Sequence, residues 1–321
     1  MRMKRISLGL LLMLLAAPTL PARASEVPIA LNIATGTLHG TLLLPTTALP
    51  MPVVLLIAGS GPTDRDGNNP LIPGKNDSLK LLAEGLALHG IASIRYDKRG
   101  IAASVEAGPA QESDMRFDML VDDAAAWLRF LNADPRFSKV VAIGHSEGAL
   151  VALLAASAGS ADGVVSVAGT ARRLSDLLRE QLRPRLTNAL LQKNEAILLS
   201  LERGEIADNV PAALAPLYRP SVQPYLISQF RYAPTDIVSR LPIPTLIIAG
   251  TSDLQVPTTD AEALQSAKPD AELLIIDGMN HVLKAVPAKA PSALSSYSDP
   301  TLPVVPLLIE RVAAFVRKLA N

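Results

Sequence analysis

A chain of 321 residues, 49% hydrophobic and 19% charged, can bury a large core as one domain or as one domain with an insertion. Lys plus Arg and Asp plus Glu are equal at 30 each, so no excess charge indicates a nucleic acid or an anionic membrane as partner. Cysteine is absent, which excludes disulfides, thiolate metal sites and a cysteine nucleophile.

The N-terminus predicts a secretory signal peptide over residues 1–24. Positive charges within the first five residues precede an apolar stretch at 6–17, shorter than the ~20 residues that a membrane-spanning helix needs. Ala22-Arg23-Ala24 supplies small residues at a cleavage site. We therefore expect residues 25–321 to form a mature protein that is periplasmic or secreted and has no stable membrane anchor.

Apolar runs that alternate with helical patterns predict an α/β fold, a mostly parallel sheet with helices on both faces. Residues 28–34 and 37–44 flank Thr35-Gly36 and predict an antiparallel hairpin. The other predicted strands are 52–58, 91–96, 139–143, 163–168, 245–249 and 272–276. The predicted helices of the core are 79–88, 118–131 and 306–320, the last with a proline in its first turn.

One segment, from about residue 171 to 240, interrupts the alternation. It contains no convincing strand, but it does contain helical stretches at 174–182 and 186–202. A crossover between parallel strands needs only one helix, so this length favours an inserted helical cap over ordinary crossover helices. The Pro- and Ser-rich stretch 286–303 predicts an irregular surface loop.

The motif Gly144-His145-Ser146-Glu147-Gly148 carries the most information about function. It reads G-x-S-x-G, follows a predicted strand and precedes a run of helix-forming residues. This strand, turn and helix context is the one in which a serine nucleophile is exposed on a strained turn. Glycines at the motif's two ends allow neighbouring backbone to approach closely.

A serine hydroxyl needs a base to activate it, and there are only four histidines. His39 lies within a predicted strand, His89 lies at a predicted helix C-terminus, and the side chain of His145 is expected to point away from the nucleophile. His281 lies in a loop after the predicted strand 272–276, so we predict that it is the base.

The base in turn needs an orienting carboxylate. Asp253 follows the carboxyl end of the predicted strand 245–249, where ligand-facing residues gather in open α/β sheets. Asp260 lies where a helix is predicted to start, and Asp277 is close to the histidine in sequence. We therefore predict Ser146, Asp253 and His281 as a triad, in the chain order described for this mechanism.

With these motifs, the chain resembles the α/β-hydrolase superfamily across nearly all of residues 25–321. Within it, the chain is similar to bacterial esterases and serine-aminopeptidase-like hydrolases, which carry segments like 58–68 and Tyr96-Asp97-Lys98-Arg99-Gly100. The resemblance implies acyl transfer by a Ser-His-Asp triad without a metal or a cofactor. One departure is Ala58-Gly59, where many relatives have His-Gly.

The mechanism also needs backbone N–H donors for the tetrahedral oxyanion. We expect the Glu147 N–H to be one donor, and the Ser60 N–H to be the other, with the Gly61 N–H as the alternative. Two nearby charged segments have two readings each. The loop 63–68 either pairs internally or holds a substrate ammonium group, and the run Asp97-Lys98-Arg99 is either a solvated turn or part of an internal ion pair.

The sequence therefore predicts a serine carboxylesterase acting on small to medium acyl esters. A serine aminopeptidase is the alternative enzyme, and a catalytically silent binding protein on the same scaffold is the alternative of another class. Acyl chain length, leaving group and oligomeric state are left open. The predicted cap is expected to line the acyl pocket with four apolar or aromatic side chains: Leu177, Leu217, Tyr225 and Phe230.

Overall fold

The computed structural model describes residues 24–286 and 295–320. The predicted signal peptide, apart from Ala24, lies outside these ranges, and so do residues 287–294 of the predicted surface loop. No helix within the described ranges is long and apolar enough to cross a membrane.

Eight strands of the described chain form one sheet. They are β1 (Ser25–Ile33), β2 (Gly36–Leu44), β3 (Met51–Ile57), β4 (Ala92–Tyr96), β5 (Phe137–His145), β6 (Gly163–Val167), β7 (Thr245–Gly250) and β8 (Glu272–Ile276). Their order across the sheet is β1-β2-β4-β3-β5-β6-β7-β8. β1 pairs antiparallel with β2, and β2 pairs antiparallel with β4. From β4 to β8 all pairs are parallel, which confirms the predicted α/β class.

The hairpin between β1 and β2 differs from its prediction by one residue. Ile33 pairs with Gly36, so the turn consists of Ala34 and Thr35, and Gly36 begins β2. Gly36 has φ +149°, and a Cβ there would lie 3.0 Å from the Cα of Ala107. The glycine is therefore required by a close backbone approach at the strand start, and not by the turn to which the sequence pattern assigned it.

Outside the segment between β6 and β7, the described helices alternate with the strands. They are α1 (Ser78–Leu88), α2 (Phe117–Asn132), α3 (Glu147–Ala155), α9 (Thr258–Ala267) and α10 (Pro306–Ala320). Between β6 and β7 lie five more: α4 (Leu174–Leu182), α5 (Asn188–Glu202), α6 (Ala215–Tyr218), α7 (Gln223–Phe230) and α8 (Pro234–Ser239). Each of α6, α7 and α8 has a proline in its first turn, where the missing N–H does not cost a helical hydrogen bond.

Two hydrophobic cores cover the two faces of the sheet. On one face, Val53, Leu55 and Ile57 of β3 belong to a core that also contains residues of α2, α3 and α9. On the other face, Val54 and Leu56 pack with α1 and α10. Both sets are at most 1% exposed, and burying each such side chain contributes roughly 1.5–3 kcal/mol. Burial on both faces is the reason that β3 is an uninterrupted apolar run instead of an alternating one.

Residues 171–240, which we call the helical insertion, have a small core of their own. It consists of seven buried side chains, Ile197, Leu198, Leu201, Leu214, Tyr218, Leu226 and Phe230. Both ends of the helical insertion are attached to α9. At the start of α9, Asp260 accepts hydrogen bonds from the Ala171 N–H at 2.8 Å and from the Arg172 guanidinium. Just after α9, the Lys268 Nζ donates to the Leu241 carbonyl at 2.9 Å.

Candidate active site

Ser146 lies at the turn between β5 and α3, and its backbone is strained. Its φ of 57° and ψ of −122° are angles that L-residues rarely adopt. The turn is fixed by the Ser146 N–H, which donates to the Val167 carbonyl of β6 at 2.9 Å, and by the Ser146 carbonyl, which accepts from Ala149 at 2.9 Å. The chain therefore reverses sharply at the carboxyl edge of the sheet with the serine at the apex.

The two glycines of the motif are required by sterics. A Cβ at Gly144 would lie 2.0 Å from the Gly148 carbonyl oxygen, and a Cβ at Gly148 would lie 2.3 Å from the Ile57 carbonyl oxygen. Both distances are far below a van der Waals contact, and both neighbours are backbone atoms that cannot move aside. Only residues without a Cβ allow β5, α3 and the end of β3 to come this close.

Asp253 and His281 form a buried pair on the loops that follow β7 and β8. The His281 Nδ1 lies 2.8 Å from the Asp253 Oδ2, and the side chains are 7% and 1% exposed. The other carboxylate oxygen accepts from the backbone N–H groups of Gln255 at 2.8 Å and Val256 at 3.0 Å. Burial acts to raise the pKa of Asp253, but the hydrogen bond and charge of His281 and these two amides together lower it. Asp253 is therefore an anion that fixes the ring orientation of His281.

Two backbone N–H groups are available beside Ser146. Gly59, at the end of β3, is so close that a Cβ on it would lie 3.2 Å from the Ser146 Cβ. The next N–H, that of Ser60, and the N–H of Glu147 at the first position of α3 form no hydrogen bond within residues 24–286 and 295–320. Unpaired donors at a helix N-terminus and in a loop are suited to binding an oxygen anion.

The side chain of His145 contacts the loop that carries His281, a contact that the sequence did not indicate. Its Nε2 lies 2.7 Å from the His281 carbonyl oxygen, and the two rings are 4.9 Å apart. Burial, together with the nearby His281, lowers the pKa of His145 to about 4, so the ring is neutral and its Nε2–H donates to that carbonyl. His145 therefore attaches the loop of His281 to the end of β5.

The side chain of Glu147 links the site to the helical insertion. Its Oε1 accepts hydrogen bonds from the Tyr225 hydroxyl at 3.0 Å and from the Gln229 amide at 3.1 Å, both on α7. Burial and the neighbouring Glu147 raise the pKa of Tyr225, so the phenol stays protonated and donates. The residue that follows the nucleophile thus also holds α7 in place.

The predicted pocket side chains lie in different surroundings. Tyr225 is the one placed beside the site, through Glu147, and it packs against Phe117 with ring centroids 6.0 Å apart. Phe230 is buried within the core of the helical insertion. Leu217 is 39% exposed, and Leu177 of α4 is partly buried. Their contact with an acyl chain stays a prediction.

The charged run after β4 is not a solvated turn. Asp97 binds the Arg65 guanidinium at 2.6 Å, and Arg99 binds the Asp123 carboxylate of α2, with an Nε to Oδ2 distance of 2.7 Å. Between them, Lys98 is 5% exposed and donates to two backbone carbonyls of the loop after β3. Internal ion pairs were one of the two interpretations of this run. The sequence did not predict the contact that Lys98 makes with the backbone.

The carboxylates in the loop after β3 are engaged in structural contacts. The Asp64 Oδ1 accepts from the backbone N–H groups of Asp66 and Asn68, at 2.9 Å each. Asp66 forms an ion pair with the buried Arg95 at 3.0 Å. The loop thus pairs internally and with the sheet.

The other two candidate acids also have structural partners. Asp260 binds the start of the helical insertion, as described above. Asp277 accepts a hydrogen bond from the Thr251 hydroxyl at 2.8 Å, in a solvent-exposed position. Of the three candidate carboxylates, Asp253 is therefore the one that binds His281.

A nucleophile elbow beside an Asp–His pair, at the carboxyl edge of this eight-stranded sheet, defines an α/β-hydrolase. The family model of the serine aminopeptidases, S33, matches residues 75–284. The match includes Ser146, Asp253 and His281, and the chain belongs to this family.

Comparisons with single proteins lead to the same fold. The chain is 31% identical over 258 residues to the esterase EstD of Thermotoga maritima, an alignment that covers 78% of this chain and 59% of EstD. The chain thus spans less than two thirds of that relative. Est1E from Butyrivibrio proteoclasticus matches with a TM-score of 0.60 at 18% identity, covering 91% of this chain and 98% of Est1E. The esterase domain of a Rhodothermus marinus protein matches with a TM-score of 0.56 at 16% identity, covering 92% and 100%.

Proposed function

We propose that this protein is a serine carboxylesterase that hydrolyses small to medium acyl esters with Ser146, His281 and Asp253. The observation that carries the proposal is the buried pair between the His281 Nδ1 and the Asp253 Oδ2 at 2.8 Å. A neutral histidine that donates from Nδ1 to an aspartate has its Nε2 free to accept a proton. Membership of the S33 family and the similarity to EstD, whose name describes an esterase, support an acyl-transfer reaction.

Each step of the reaction has a residue of this chain to perform it. The His281 Nε2 takes the hydroxyl proton of Ser146 as its oxygen attacks the ester carbonyl. The N–H groups of Ser60 and Glu147 bind the oxyanion that forms, and each such donor is worth about 3 kcal/mol in the transition state. His281 then protonates the leaving alcohol, and a water molecule, deprotonated by the same histidine, hydrolyses the acyl-enzyme.

The surroundings favour an ester over an aminoacyl substrate. An aminopeptidase needs a carboxylate that is free to bind the substrate's ammonium group. In the loop after β3, Asp64 is occupied by backbone N–H groups and Asp66 by Arg95. Beside the nucleophile, Glu147 is held by Tyr225 and Gln229.

The test compares the wild type with Ser146→Ala and with a matched control, Ser157→Ala. Ser157 is an exposed serine just after α3. We expect wild type and Ser157→Ala to hydrolyse an aryl acetate and to be labelled by a fluorophosphonate probe. Ser146→Ala should lose labelling and several powers of ten in kcat.

Competing substrates separate the enzyme classes. Faster turnover of an aminoacyl anilide than of an aryl ester by the wild type would make the protein an aminopeptidase. A wild type that is neither labelled nor active would be a silent binding protein. If Ser146→Ala hydrolyses the ester at the wild-type rate, Ser146 is not the nucleophile and the proposed triad is wrong.

A further inference from the structure

Lys98 is a buried lysine whose ammonium group binds backbone rather than a carboxylate. We propose that Lys98 is a positioning residue, which holds the Gly59–Ser60 peptide so that the Ser60 N–H faces the oxyanion. This inference rests on the serine-hydrolase function proposed above. It adds a residue that never touches the substrate but determines which N–H does.

The contacts of Lys98 lie on the loop that passes the nucleophile. Its Nζ donates to the carbonyl oxygen of Gly59 and, at 2.8 Å, to that of Gly61. Gly59 lies close to Ser146, since a Cβ on it would lie 3.2 Å from the Ser146 Cβ. Lys98 thus binds the loop directly behind the candidate oxyanion position.

The planarity of the peptide group turns this contact into an orientation. In a trans peptide the C=O and the N–H point to opposite sides. Because the Gly59 carbonyl is bound to Lys98, the Ser60 N–H must face away from it, and that N–H has no partner among the described residues. A free donor in a fixed direction is what oxyanion binding requires.

The same contact distinguishes Ser60 from Gly61 as the second donor. The Gly61 carbonyl that Lys98 binds belongs to the peptide bond with Pro62, which has no N–H. The Gly61 N–H belongs to the Ser60–Gly61 peptide, whose carbonyl Lys98 does not bind. Of the two peptide groups that Lys98 holds, only Gly59–Ser60 can therefore present a donor.

The charge of Lys98 gives the contact a second effect. No carboxylate within the described ranges forms an ion pair with Lys98, and Glu147 attracts it only at a longer distance. Burial lowers the pKa of the ammonium group, and Glu147 opposes this. A cation bound to a carbonyl polarises the peptide and makes its N–H a stronger donor. A solely structural role would not need this charge at the peptide next to the nucleophile.

The first test is Lys98→Met, which keeps most of the side chain's length and removes the ammonium group. Lys268→Met is the matched control, because Lys268 is also 5% exposed and also donates to a backbone carbonyl, that of Leu241. We expect Lys98→Met to lower kcat on an aryl ester by about 10²-fold or more, the effect of losing one oxyanion donor, with little change in KM. Its affinity for a trifluoromethyl ketone, which forms a tetrahedral adduct, should fall by a similar factor. Lys268→Met should keep both values near those of the wild type.

A chemical rescue decides the question if Lys98→Met does not fold. The chain has no cysteine, so Lys98→Cys can be alkylated at one site in denaturant and refolded beside the wild type. Alkylation with 2-bromoethylamine restores an ammonium group at lysine length, whereas 1-bromopropane gives a neutral group of similar length. We expect the first to restore kcat and the second not to.

Three results would overturn the proposal while the wild type remains active. They are an unchanged kcat and inhibitor affinity in Lys98→Met, equal activity of the charged and neutral adducts, and failure of the charged adduct to recover activity in a refolded chain. If the wild type neither hydrolyses esters nor reacts with fluorophosphonate, the proposed function itself is wrong, and so is the role of Lys98 that rests on it.

Discussion

The strained backbone of Ser146 predicts that glycine is more stable than alanine at this position. Ser146→Gly and Ser146→Ala both remove the hydroxyl, so they differ only by the Cβ. With φ 57° and ψ −122°, a residue that has a Cβ pays a strain of about 1–3 kcal/mol, which glycine does not.

The expected difference is smaller than this strain. Glycine loses roughly 0.5–1 kcal/mol through the greater freedom of the unfolded chain. It also loses the contact of the Cβ with Gly59, but Ser146 is only half-buried, so this loss is below the ~0.8 kcal/mol of a buried methylene. With the middle value of each range, Ser146→Gly should therefore be more stable than Ser146→Ala by roughly 1 kcal/mol. One kcal/mol corresponds to about 1.5–2 °C in Tm for a chain of roughly 300 residues.

The assay is urea unfolding of the two variants, followed by circular dichroism, with ester hydrolysis measured on the same samples. Both variants should be inactive and should have the same slope of free energy against urea. If the alanine variant is as stable as the glycine variant, or more so, the elbow is not strained and its geometry has another cause.

Two further predictions concern the residues around the triad. Asp253→Asn should lower kcat by about 10³–10⁴-fold because His281 loses its orienting anion, whereas Asp260→Asn should lower the free energy of unfolding and leave kcat nearly unchanged. A larger loss of kcat in Asp260→Asn would mean that Asp260, and not Asp253, orients His281. The pKa of the His145 ring is about 4 in the folded chain and about 6.5 in the unfolded chain. The free energy of unfolding should therefore be highest above about pH 6.5 and should fall by up to roughly 3 kcal/mol as the pH is lowered to 4. Urea unfolding over this range should show a flatter profile for His145→Gln; identical profiles would contradict the neutral, buried ring.

The sheet and its helices could be predicted because burial leaves a hydrophobic pattern that can be read locally in the sequence. Strands buried on both faces, such as β3, are continuous apolar runs, and helices such as α2 have one apolar side. The elbow could be predicted because two backbone clashes leave only glycine at Gly144 and Gly148. The pair of Asp253 and His281 was predicted from chain order and from the small number of histidines, and the structure places these two side chains in contact.

The contacts of Lys98 and His145 could not be predicted, because their partners are backbone atoms. Lys98 binds carbonyls 37 and 39 residues away, and His145 binds a carbonyl 136 residues away. A carbonyl has no sequence signature, so a charged run with such partners looks the same as a solvated turn. Burial of Lys98 beside two ion-paired neighbours is the feature that indicates a structural contact. This burial cannot be read from the sequence, because it depends on the assembled sheet.

The attachment of both ends of the helical insertion to α9 has a consequence for the evolution of such enzymes. Asp260 binds the chain where it leaves the sheet, and Lys268 binds it where it returns. Asp253 and His281 lie on the loops that follow β7 and β8, outside the segment between these two points. Substitutions within this segment can therefore accumulate without moving Asp253 and His281, provided that the hydrogen bonds of Glu147 to Tyr225 and Gln229 are retained.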